Sequence, residues 1–555
     1  MKNMRPAFWL LFLLTLQAQQ PLCFVEGRIV NAENGEPVRR AKILLGRTDN
    51  PGAGNPTTYM TYSDARGKFA MQGIDPGKYS FSAEHAGFAT AEYGARRPGR
   101  NGITLSLDSG QRLGGVLFRM IPHAVITGRI LDQDGEPMEG VQVQATRYQY
   151  SQGKRQLRPS KGAATDDLGE YRIFGLAPGR YFLEATYRQH MWQMMGRAVR
   201  SGSGKQAEEG YVPTYYPGTI DPSTATAIEL SPGTQLRGMD FALSKTHTVS
   251  VRGQVTHSGT AGQRFLMVTL APKGQFQWDS IYRTRTQNPE GKFEFANVRP
   301  GSYTLAATLF AGGENYSASQ ALDVTTAVDN VALNLAPGAP LSGQVRFEGN
   351  ASTSVKEIQV CLNNREPGEV MFGPIPCAEP KDDGSFTVSN VGTDTYTVNV
   401  NNLSSGFYVK SVRVGDDEFK ESGIDTTHGV TGPLLITVSD KAGQIEGVVL
   451  SAKQQAVGGA TVVLVPEPKF RERPGKYKAI ATDQYGRFLL KTIEPGEYKL
   501  FAWEDIEPGE YMDPEVLKPV EEGGHPVSIR EGSRESAELK LIPAERPVTL
   551  PKPRK

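Results

Sequence analysis

The stretch GKFAMQGIDPGKY, residues 67–79, reads as two short strands meeting at a Pro-Gly corner. It recurs as GEYRIFGLAPGRY from Gly169, GKFEFANVRPGSY from Gly291, GSFTVSNVGTDTY from Gly384 and GRFLLKTIEPGEY from Gly486. In all five copies the closing tyrosine (Tyr79, Tyr181, Tyr303, Tyr396, Tyr498) lies twelve residues after the glycine. A glycine-bearing segment opens each unit 38 to 41 residues earlier: VEGRIV, ITGRIL, VRGQVT, LSGQVRF and IEGVVL, with Gly27, Gly128, Gly253, Gly343 and Gly447. Units about 90 to 125 residues apart are too long for a solenoid and fit a β-sandwich.

Around the corner the apolar period is two. Phe69, Met71, Ile74, Tyr79, Phe81 and Ala83 share one face in the first unit, as Phe488, Leu490, Ile493, Tyr498, Leu500 and Ala502 do in the fifth. Such alternation predicts antiparallel strands with one face on a core. Asp64, Asp166, Asn288 and Asp483, three residues before the glycine, can bond their own backbone two residues on, while the glycine supplies positive φ. The tyrosine after Pro-Gly resembles the tyrosine corner of immunoglobulin-like sandwiches, with a buried ring and a hydroxyl returned to a nearby carbonyl. The fourth unit, with VGTDTY in place of Pro-Gly, is expected to have a looser corner.

Composition agrees with linked all-β domains. Of 555 residues, 61 are Gly and 37 Pro, with 9% aromatic. Lys plus Arg (61) nearly cancel Asp plus Glu (60), so no basic field invites nucleic acid. Lys2 and Arg5 precede the apolar run Ala7–Leu16, which at about 1.5 Å per residue is too short to span a bilayer and reads as a signal peptide, residues 1–20, with cleavage after Ala18. Cys23 follows Gln-Pro-Leu, which lacks the small residues a lipidation signal needs. Export to the periplasm, cell surface or medium is expected, with no membrane span once the leader is removed.

The expected organisation is sandwiches over 24–122, 123–245 (with an insertion at 188–219), 246–338, 339–442 and 443–546, followed by a basic, Pro-rich tail at 547–555. Linkers of a few residues predict a semi-rigid rod.

The GxV opening strand, the A-T-D-x-x-G-x-F…P-G-x-Y core, and the phrases YVPTYYPGT and FAWEDIEPGEY are together similar to carboxypeptidase regulatory-like domain proteins of bacteria. The resemblance runs over residues 24–546. It implies a tandem array of immunoglobulin- or prealbumin-like sandwiches, a fold grouped with the starch-binding-like and Cna B-type domains. It implies little about function, because the family is named after an accessory domain, and nothing resembling the zinc peptidase domain accompanies it here.

Catalytic signatures are missing from the sequence. None of the seven histidines has an acidic residue three positions later, as a zinc peptidase would need. There is no G-x-S-x-G elbow, P-loop or dinucleotide fingerprint. The segment DQDGEP, residues 132–137, has Val143 where an EF-hand loop would have its glutamate, and reads as a turn. The opening strands VEGRIV, ITGRIL and IEGVVL carry no lysine for an isopeptide cross-link. No cofactor is expected.

Cys361 and Cys377 fall in one unit; they either bridge, closing a loop of about 15 residues for about 3 kcal/mol, or leave Cys361 a buried thiol, and bridging is the expectation. In the insertion, Trp192, Tyr211, Tyr215 and Tyr216 are aromatics that can stack on sugar rings or pack the base of their own loop. The expected function is a non-catalytic binding or structural module, an adhesion or scaffold protein meeting polysaccharide or surface protein. The alternatives are carbohydrate binding by the starch-binding-like fold and service as accessory subunit of a separate secreted peptidase.

Overall fold

The structure is a computed structural model describing residues 21–49, 58–97, 99–100, 102–151, 153–187, 209–257, 265–273, 281–286, 290–311, 314–349, 357–364, 375–420, 422–427, 429–430 and 432–544. It is a tandem array of β-sandwiches, each built on one plan.

In the first unit the opening strand Cys23–Asn31 lies between the motif strand Lys68–Ile74, antiparallel, and the closing strand Arg112–Met120, parallel. The second sheet runs Thr58–Tyr62, Lys42–Arg47, Gly77–Glu84 and then the short strand Ala91–Glu92. Alternate residues of both sheets meet between them: Val25, Ile29, Phe69, Met71 and Phe118 from one, Ile43, Leu45, Tyr79 and Phe81 from the other. The remaining units repeat this, each with its own core. In the third and fifth units the two sheets join into one of seven strands.

The opening glycine has a physical reason. In every unit it pairs across the ladder with the motif aromatic, Gly27 with Phe69, Gly128 with Tyr171, Gly253 with Phe293, Gly343 with Phe386 and Gly447 with Phe488. The ring lies over the glycine: a Cβ on Gly447 would sit 1.9 Å from the Ala537 carbonyl oxygen and 2.8 Å from the Phe488 ring. Two residues on, Ile29, Ile130, Val255, Val345 and Val449 each donate their N–H to the motif glycine's carbonyl at 2.8–2.9 Å.

The turn before the motif strand is built as the sequence suggests where it is described. Asp64 Oδ1 accepts the N–H groups of Arg66 and Lys68, Asp166 those of Leu168 and Glu170, and Asp483 those of Tyr485 and Arg487. Asn288 lies outside the described residues.

A second device was not anticipated. Near the end of each motif strand the ladder with the opening strand shifts register, at a residue with positive φ: Gly73, Gly175, Asn297, Asn390 and Thr492. These are β-bulges, which bend the strand out of the ladder.

The expectation of a rod fails. The fifth unit returns to touch the first and second.

Candidate functional site

The corner tyrosines are folding chemistry. Tyr79, Tyr181, Tyr303 and Tyr498 are buried and donate to the carbonyl four residues back, those of Asp75, Ala177, Arg299 and Glu494, at 2.6–3.0 Å. Tyr396, in the unit without Pro-Gly, is equally buried, and its hydroxyl meets the backbone of Gly392. Burial pushes its ionisation up to about 12.

Cys361 and Cys377 sit directly opposite each other on paired strands and are joined in a disulfide. Cys23 is a buried free thiol whose Sγ donates to the Asp108 carbonyl.

The aromatics proposed for sugar stacking do not form a shared platform. Tyr215 is 2% exposed, in a short strand paired with the corner strand at Glu184. Tyr216 packs edge-on to Phe241, their centroids 5.8 Å apart, and Tyr211 packs edge-on to Tyr187, with Lys245 Nζ 4.9 Å over its ring. Strands Glu209–Tyr211 and Thr214–Tyr215 dock on neighbouring strands, which draws these side chains against the second unit's core. Trp192 lies outside the described residues. Among the described residues no group of three or more His, Cys, Asp or Glu is placed to hold a metal, and no helix is long and apolar enough to cross a membrane.

The side chains that do converge come from opposite ends of the chain. After its corner strand, Gly496–Trp503, the fifth unit carries the segment 504–524. Ile506, Leu517 and Val516 fold back on Val463, Val465, Phe501 and Trp503, the outer face of the second sheet, as a second small core. That core leaves Glu504, Asp505 and Glu507 facing the equivalent segment of the first unit, which reads GARRPGR at 94–100. Arg96 reaches Glu504 at 2.6 Å, Arg97 and Arg100 reach Asp505 at 3.1 and 3.0 Å, and Arg100 also reaches Glu507 at 3.1 Å. The Asp505 side chain is 10% exposed.

Alongside, the fifth unit's motif turn presses on the first unit. Gln484 exchanges two hydrogen bonds with the backbone of Ser106, at 3.0 and 2.7 Å. The second unit's hairpin, Val141–Ser151 with Lys154–Ala164, reaches the same segment: a Cβ on Gly153 would lie 2.6 Å from the Met512 carbonyl oxygen. From Val141 to Ala164 this hairpin carries five cations and no acid, and it meets a segment with six acids between Glu504 and Glu515. Burial raises the carboxyl of Glu510 there above its ordinary range.

The bulge residues join neighbours. Asn390 Oδ1 accepts the Asn315 N–H of the third unit at 3.2 Å, and Thr492 Oγ1 accepts the Gly406 N–H of the fourth at 3.1 Å. Asn297 packs against Gly210 of the second unit. Between the fourth and fifth units Glu494 receives Lys420 Nζ at 3.1 Å and Lys476 Nζ at 2.6 Å. Sequence reasoning passed over the arginine and acid triads, although their signal was present: opposite charge in segments that follow the same strand of two repeats.

The fold and this junction define a tandem β-sandwich protein closed on itself through its first, second and fifth units. The carboxypeptidase regulatory-like domain family matches residues 25–113 and 125–200, so the resemblance holds for the first two units. Over 372 residues, 64% of this chain, the sequence is 26% identical to the human BOS complex subunit NOMO1, and the chain spans about a quarter of that relative, 27% of its length. Among solved structures, the minor pilin GBS52 of Streptococcus agalactiae is 13% identical with TM-score 0.23, covering 40% of this chain and 97% of the pilin. BcpA, the major pilin subunit of Bacillus cereus, is 12% identical with TM-score 0.15, covering 76% and 99%.

Proposed function

We propose that the chain is a non-catalytic, exported array that serves as a binding or structural module, its loops held in fixed mutual positions by closure of the first, second and fifth units. The observation that carries this is the ion-pair network between Arg96, Arg97, Arg100 and Glu504, Asp505, Glu507. Isolated surface pairs contribute about 0–1 kcal/mol, but a network sharing a largely buried carboxylate fixes geometry as well. The repeated residues all have folding duties, which leaves the junctions and displayed loops as the parts free to vary with a task. Glycan stacking by Tyr211, Tyr215 and Tyr216 has no part in this reading, since all three pack within the second unit.

The test has two readouts. Fractionation should place the protein outside the cytoplasm, and the purified protein should turn over no peptide, ester or glycoside substrate. Small-angle scattering should show a closed particle at low salt that extends as ionic strength approaches 1 M, where the Debye length is about 3 Å. Turnover, or cytoplasmic retention, refutes the reading; a particle extended at low salt refutes the closure.

A further inference from the structure

In four of the five units the residue after the opening glycine is a long polar side chain that reaches toward the motif turn. Arg28 Nε donates to the Arg66 carbonyl at 3.3 Å, Gln254 Nε2 to that of Glu290 at 2.8 Å and Gln344 Nε2 to that of Asp383 at 3.3 Å. Each acceptor is the residue just before the motif glycine. In the second unit Arg129 pairs instead with Glu170, just after that glycine, at 2.5 Å. The fifth unit has Val448 at this place, which can make no such bond. The residue before its motif glycine is Tyr485, left 44% exposed.

This departure from the repeat falls where the fifth unit meets the first. An open groove of about 890 Å³ lies there, with strands Gly443–Leu450, Arg487–Ile493 and Arg534–Ile542 as its floor. Lys78 and Asp108 of the first unit line the opposite wall. On the floor, Arg487 and Glu538 are the ladder neighbours of Val448, one on each side. A donor and an acceptor thus flank an apolar strip, and the Arg487 guanidinium stands 5.6 Å from the Tyr485 ring centroid. Among the described residues none of these four charged side chains is in an ion pair.

We propose that this groove binds a neutral oligosaccharide chain between the first and fifth units. The site rests on the closure proposed for the array, because its two walls come from different units. Its charges decide the class of ligand. Asp49 and Asp483 also line the groove but are engaged, by Arg47 and by the motif turn's backbone. Glu446 brings the free carboxylates to three against two cations, a balance too even to hold a polyanion or a polycation. Hydroxyl groups suit both signs, donating to Glu538 and Asp108 and accepting from Arg487 and Lys78. Sugar rings also carry apolar C–H faces, which match the bare ring of Tyr485 and the Val448 strip.

Calorimetric titration of the full chain tests this, with maltohexaose, cellohexaose, mannohexaose and chitohexaose as neutral probes and hexagalacturonate as an acidic one. The expected result is binding of at least one neutral probe and not of the acidic one. Tyr485→Ala, which removes the ring, and Val448→Gln, which restores the side chain of the third and fourth units, should each weaken it at least about tenfold. Alanine keeps the backbone N–H that Asp483 accepts, and two other units fold with glutamine at the second position, so circular dichroism of both variants should match the parent. Preference for the acidic probe, or neutral binding indifferent to both variants, overturns the proposal. Scattering from the same samples separates it from the closure: a closed particle that binds no probe overturns the groove alone, and an open particle overturns both.

Discussion

Gly447 has room for a hydrogen and nothing more, with the Ala537 carbonyl and the Phe488 ring where a methyl group would go. Gly447→Ala should therefore destabilise the fifth unit by about 1–3 kcal/mol, the usual range for overpacking, as a fall in that unit's thermal midpoint. The buried hydroxyl of Thr482 accepts the Ala460 N–H at 3.0 Å and donates to the Val457 carbonyl at 2.8 Å, as Ser63 and Thr165 do in the first two units. Thr482→Val keeps the shape and strands that N–H, at an expected cost of about 1–3 kcal/mol by denaturant titration. The opposite sign is expected at Thr492, a β-branched residue held at φ 56. Left-handed backbone costs such residues about 1–2 kcal/mol, and asparagine, which fills the equivalent position in the third and fourth units, tolerates it better. Thr492→Asn should raise the midpoint while keeping an acceptor for Gly406. The glycine spacing was legible because a repeat exposes it. The ring above each glycine was not, since period-two alternation tells which face a residue takes and not what lies across the ladder.

Among elements, the corner is where the sequence was most informative and the segments after it least. Gly, Pro and Tyr have narrow conformational roles, so a fixed register among them reads as one turn repeated. The tyrosines at 211, 215 and 216 carried no such constraint, and only the docking of their strands decided that they turn inward. The corner also sets a pH dependence at the next junction. Burial alone would raise the carboxyl of Glu494, but Lys420 and Lys476 outweigh it and hold it below its ordinary value of 4.5. A carboxyl depressed in the folded state contributes stability at pH above its unfolded value and loses it as pH falls through the folded one. Melting of the parent should weaken more steeply than that of Glu494→Gln as pH drops below about 4.5, and parallel curves would remove Glu494 from the junction's acid response.

At the scale of the whole molecule, closure depends on charge placed about four hundred residues apart, with Arg100 and Asp505 separated by 405 positions. Asp505→Arg should open the array and increase its radius of gyration, while Arg100→Asp combined with Asp505→Arg should recover much of the closed form. If scattering finds the single variant as compact as the parent, the arginine triad is not what closes it. Bulk composition concealed this contact, because a net charge of +1 averages a basic segment and an acidic one to nothing. The two segments also set an order of events during synthesis. Chains are made, and for export threaded across a membrane, N-terminus first, and domains fold as units in that order. The first unit can then complete its core before its acidic counterpart is available, with Arg96, Arg97 and Arg100 hydrated in the meantime. Closure is thus the last assembly step and a rigid-body one: the units between have already folded, so little chain entropy is left to lose when the ends meet, and a nascent chain stalled before Glu504 would hold folded early units with an open junction.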